Sequence, residues 1–162
     1  MQFGFIRKRG KPFWTLLSLL AIVVVGAAWF VVFRAYQSTS ASAQLMQRRL
    51  QEELTAIEPP ASVHRVQHNE ISKIGHGNIS EYFQTDLSYG EIRGYYDGEL
   101  VKHGWKFQKE TKLTSWGEDH GELMAFYCKE SVSAELYYTG QEETNLKYRY
   151  SFGLSWGIYQ CK

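Results

Sequence analysis

The sequence lacks the residue sets that announce a reaction. It has no Gly-x-Ser-x-Gly elbow, no His-Glu-x-x-His pair, no phosphate-binding glycine loop and no Cys-x-x-Cys. The expectation is a protein without catalytic activity and without a cofactor. Cysteine is scarce: there are two, Cys128 and Cys161. Neither is near the N-terminus, which excludes a lipidated N-terminal cysteine. The two either pair as a disulfide, which an oxidising compartment permits, or stand as one packed thiol and one on a loose tail. An excess of basic charge is also missing. Residues 60–162 carry 11 Lys and Arg against 14 Asp and Glu, a net −3. Such a mildly acidic segment argues against nucleic acid as a partner, whose phosphates need a basic face.

One long apolar run is present. Phe13–Phe33 reads FWTLLSLLAIVVVGAAWFVVF, 21 residues without charge or proline. At about 1.5 Å per residue, a helix of that length crosses the roughly 30 Å hydrocarbon layer, so the lipid bilayer is the first expected partner. Arg7, Lys8, Arg9 and Lys11 precede the run; beyond it stand Arg34 and, further on, Arg48 and Arg49. The positive-inside rule then places residue 1 in the cytoplasm and residue 162 outside, single-pass in the inner (plasma) membrane. Trp14 and Trp29 lie near the two ends of the run, where aromatic rings favour the headgroup level. A second reading competes. Ala41-Ser42-Ala43 has the small-x-small form of a signal-peptidase site, and cleavage after Ala43 gives a secreted product. The run is longer than a signal-peptide core and the site lies too far downstream, which favours a retained anchor.

The expected division is a cytoplasmic head over 1–12, a transmembrane helix over 13–33, a linker and stalk helix over 34–59, and one extracytoplasmic domain over 60–162. Residues 34–42 are small and polar and read as linker. Met46, Leu50, Leu54 and Ile57 then recur at helical spacing. Such a stripe either lies on its own domain or on lipid, or pairs with a second copy as a short homodimeric coil; two turns of heptad favour the former. Pro59-Pro60 ends the helix.

Beyond it the spacing predicts strands over 63–74 and 79–85, joined by Gly75-His76-Gly77-Asn78. A helix over Tyr89–His103 follows. Ser88 and Glu91 form a capping box, Leu87 and Ile92 a hydrophobic staple, and Gly104 with Trp105 a Schellman end. Strict period-two alternation marks strands over 105–113, 124–129, 132–138 and 146–158. The fold class is α+β, with order ββαββββ and the helix packed on an antiparallel sheet.

Three surfaces are candidates for binding. Gly90, Gly94 and Gly98 form a bare ridge on the helix, opposite Ile92, Tyr96 and Leu100. That ridge either admits a partner's backbone or is an exposed, locally weak face. Trp116 sits in a predicted turn, where it either anchors a partner or folds back on its own domain. His64, His68 and His76 are the metal candidates, with Glu70 beside them. On an unbroken strand His64 and His68 share a face but stand about 13 Å apart, too far for one ion, so surface histidines are the favoured reading. Asn78-Ile79-Ser80 is a glycosylation sequon, meaningful only in a eukaryotic secretory pathway.

The 18 residues Ser88 to Trp105 carry Ser88, Glu91, Ile92, Tyr95, Tyr96, Leu100, Gly104 and Trp105 in the spacing S-x-x-E-I-x-x-Y-Y-x-x-x-L-x-x-x-G-W. That run resembles a pattern in small bacterial membrane-anchored envelope proteins, where it follows a strand and precedes a β meander. The resemblance implies a fold and a compartment, and no functional residue. Together these readings give an expected membrane-anchored, extracytoplasmic module that binds another membrane or envelope protein, with a ligand or metal sensor built on the three histidines as the alternative.

Overall fold

The computed structural model describes residues 11–114, 119–140, 146–158 and 161. The chain falls into two compact units, Met1–Thr39 and Ser40–Lys162.

The first unit holds the N-terminal part of helix α1, Lys11–Ala56. Every large apolar side chain from Ile22 to Phe33 is exposed, with Trp29 at 73 %. Apolar surface left in water costs about 25 cal/mol per Å², and α1 is long and apolar enough to cross a membrane. The linker expected over 34–42 is helical instead. Serine and threonine weaken a helix when their side chains draw the backbone into another conformation. Here Thr39 Oγ1 donates back to the carbonyls of Ala35 and Tyr36, at 3.0 and 2.8 Å, and stays within the helical ladder.

The second unit is a six-stranded antiparallel sheet with helix on one face. Its strands are β1 (His64–Lys73), β2 (His76–Gln84), β3 (Lys106–Lys112), β4 (Leu123–Lys129), β5 (Val132–Tyr138) and β6 (Tyr150–Trp156). They lie in the order β1-β2-β6-β5-β4-β3. The meander β3–β6 folds back so that β6 pairs with β2, which leaves β1 and β3 as the two edges. Helix α2, Tyr89–Lys102, connects β2 to the far edge.

Local chemistry sets both ends of α2. At its start the Glu91 N–H donates to Ser88 Oγ, and the Ser88 N–H donates to the Glu91 carboxylate at 2.8 Å. The Ser88 hydroxyl, which donates to the same carboxylate at 2.6 Å, and then the Ser88 N–H hold Glu91 below the usual carboxylate range. At its end Gly104 takes a φ of +80°, and the N–H groups of Gly104 and Trp105 donate to the carbonyls of Val101 and Leu100. Ser88→Ala is expected to lower domain stability by about 1 kcal/mol in urea unfolding.

The core lies between the helices and one sheet face. Tyr96 of α2 is buried, stacked on Phe152 at 4.5 Å and edge-on to Tyr150 at 6.0 Å. Arg93 sits over the rings of Phe107 and Tyr127 and pairs with Asp97 and Glu110, fixing α2 above the β3 edge. The C-terminal part of α1 covers the rest. Leu50, Leu54 and Ile57 are buried in the core, with Met46 packed against it. The stripe therefore faces its own sheet. Gly77 makes room for α1, since an added Cβ there falls 2.6 Å from Gln47 Oε1. Lys129 pairs with Glu53 at 2.7 Å, and Arg49 with Glu130 at 2.7 Å. The compact domain thus begins at Ser40, earlier than the expected residue 60.

Candidate functional site

The expected candidates fall in different places. Gly90, Gly94 and Gly98 lie on the exposed side of α2, and an added Cβ at any of them meets nothing within 4 Å. Trp116 lies outside the described residues. The histidines are not brought together. The β1–β2 register slips between Arg65 and Gln67, a bulge at Val66. A bulge adds one residue to a strand and so inverts the alternation beyond it. His64 therefore points to one face of the sheet and His68 to the other, and His76 pairs with Lys73 at the hairpin end. Among the described residues no group of three His, Cys, Asp or Glu side chains is placed to hold a metal ion.

Cys128 and Cys161 form a disulfide, with Cα atoms 5.5 Å apart. Cys128 points away from the helices. The bond thus places Cys161 at the sheet face opposite the helices.

That face carries a feature the sequence pattern did not single out. Strand register arranges its side chains in rows. Ser80, Gly153, Glu135 and Phe126 form one row across β2, β6, β5 and β4. The row on one side is Tyr82, Ser151, Tyr137 and Met124; on the other it is Asn78, Ser155, Ser133 and Cys128. Small residues thus fill the middle and larger ones the rim. The outcome is a cleft of about 360 Å³, walled by Tyr82, Tyr137 and Tyr148 on one side and Ile158 on another. Tyr82 and Tyr148 meet edge to face at 4.8 Å. Gly153 keeps the floor low, because an added Cβ falls 2.5 Å from Ser80 Oγ.

Glu135 stands in this cleft, half-buried on a central strand. The Ser133 and Ser155 hydroxyls are buried and 2.7 Å apart, and Ser155 also bonds to Glu135. A hydroxyl has one proton to give. With the carboxylate ionised, Ser155 donates to Glu135 and Ser133 donates to Ser155. No described cation pairs with Glu135. Lys109 lies in the same row, beyond Phe126, with its ammonium held over the Phe126 ring at 5.0 Å.

Burial raises the Glu135 carboxyl above its ordinary value of 4.5, and the Ser155 hydrogen bond opposes this only in part. A carboxyl whose folded pKa is raised gives full stability below its unfolded value and loses it as pH rises through the folded one. Glu135→Gln is therefore expected to raise the melting temperature at pH 7, with the gain shrinking as pH falls towards 4.5. Melting curves across that range test it.

A larger cavity, about 650 Å³, opens on the helix side between the end of α1 and the β1–β2 hairpin. Its polar groups answer one another. Arg65 pairs with Glu81, Glu70 accepts from Gln47 and Gln51, and His68 lies 3.9 Å from Glu70 and 3.8 Å from Glu81. It presents little unmet chemistry. Comparison of the chain with protein-family models, with curated proteins and with solved structures finds no match.

Proposed function

We propose that this is a single-pass membrane protein whose extracytoplasmic domain, of ββαββββ order, is a non-catalytic binding module working through the uncovered face of its sheet. The observation that carries the reading is the cleft on that face. Half-buried tyrosines and a carboxylate line it, and no histidine or free thiol lies among its described lining residues. Concave surfaces with an apolar rim and a few convergent polar groups are the usual form of ligand sites. The glycine ridge of α2 is open, with nothing within 4 Å of an added Cβ at Gly90, Gly94 or Gly98. The metal-sensor alternative loses its geometric basis with the separation of His64, His68 and His76.

The four basic residues before the apolar run favour a cytoplasmic N-terminus in the inner membrane, and the resemblance of residues 88–105 to envelope proteins points to the same compartment. The occupant of the cleft is then a component of the envelope. Benzoylphenylalanine placed at Tyr137, in intact membranes, is expected to crosslink to a specific partner or ligand, and the same probe at Gly94 is not. Capture from Gly94 alone overturns the choice of face. An alkaline phosphatase fused after residue 162 is expected to be active. An inactive but stably made fusion overturns the orientation, and a shortened product starting near Ala43 shows secretion instead of anchorage.

A further inference from the structure

We propose that the cleft on the uncovered face binds an organic ammonium ion, its charge seated against Glu135 among the rings of Tyr82, Tyr137 and Tyr148. This rests on reading that face as the working surface, and adds the chemistry of what it takes.

Three observations converge. The first is a half-buried carboxylate, with no cation partner among the described residues. A charge partly removed from water is held at a cost that a group of opposite sign offsets. The second is the ring set. Tyrosine faces attract cations, most strongly where water is excluded, and three tyrosines line one cavity with the carboxylate. The third is Asn78, on the same cleft, whose Oδ1 is buried without a hydrogen-bond donor among the described residues. Carboxylate and amide oxygen are both acceptors, so the site asks for donors and positive charge.

The same inventory excludes other occupants. An anion meets Glu135 head-on. A neutral sugar satisfies serines and rings but leaves the carboxylate uncompensated. The nearby Lys109 is occupied with Phe126 and does not fill the place. A cleft of about 360 Å³ lies in the range of small-molecule sites, which commits the proposal to a small amine rather than a protein surface.

The test uses the full chain in zwitterionic nanodiscs, labelled with fluorotyrosine, and titrated with cadaverine and with the uncharged 1,5-pentanediol of equal length. Cadaverine is expected to move the resonances of Tyr82, Tyr137 and Tyr148, with the diol at least tenfold weaker. Glu135→Gln, its fold checked by circular dichroism, is expected to abolish that difference, and Gly153→Ala to weaken both probes by raising the floor. Equal binding of the two probes, or undiminished cadaverine binding to Glu135→Gln, overturns the ammonium chemistry while leaving the face as the working surface. No response to cadaverine overturns the proposal outright. The crosslinking at Tyr137 judges the face separately.

Discussion

A chain cut to begin at Pro59 is expected to lose its cooperative thermal transition, whereas one beginning at Ser40 keeps it. Leu50, Leu54 and Ile57 reach the core from α1, and Leu50 is completely buried. Burying a side chain of this kind is worth about 1.5–3 kcal/mol, and a small domain has only about 5–15 kcal/mol in total. Losing all three, with the Glu53–Lys129 pair, removes a large part of that margin and strips the cover from Ile79 and Phe83. A single-site version is gentler. Leu50→Ala is expected to cost about 2–5 kcal/mol, and Met46→Ala less, because Met46 is only partly buried. Circular dichroism melts of the two fragments decide the matter. Equal melting temperatures show α1 to be an accessory to the domain and not a part of it.

Tyr96→Ala is the second large effect. The ring lies between α2 and the sheet, against Phe152 and Tyr150, with about 1 % of its surface exposed. Removing a buried aromatic side chain costs about 3–5 kcal/mol. In a domain of this size each kcal/mol moves Tm by about 4–8 °C. Tyr96→Phe separates packing from polarity. The Tyr96 hydroxyl lies 3.5 Å from that of Tyr150, a long contact, so its loss is expected to cost about 1 kcal/mol or less. A Tyr96→Phe variant as damaged as Tyr96→Ala shows that the hydroxyl pair, and not the ring, holds the helix down.

Tyr96 and the cleft mark the difference between what the sequence reveals and what it conceals. Tyr96 was legible because α2 announces itself locally. Ser88, Glu91, Gly104 and Trp105 fix both ends by bonds within one turn, and the apolar face follows from spacing. The period-two runs of β4 and β5 were legible for the same reason. The helical state of residues 34–42 was harder, since small polar residues favour turns only where their side chains are free to compete with the ladder, and Thr39 is not. The histidine geometry was illegible because a bulge is a property of a strand pair. The cleft was hidden more deeply still. Ser80, Gly153 and Glu135 lie on three separate strands, far apart in the chain. They become one floor only when β6 is inserted between β2 and β5, a pairing that spans most of the domain's length.

The disulfide gives that floor a history. Ile158 borders the cleft, and three residues later Cys161 is tied to Cys128 in the adjoining row. A newly made chain still in a reducing environment has this wall untethered. Joining Cys128 to Cys161 therefore ties the end of the chain that carries this wall to the sheet itself.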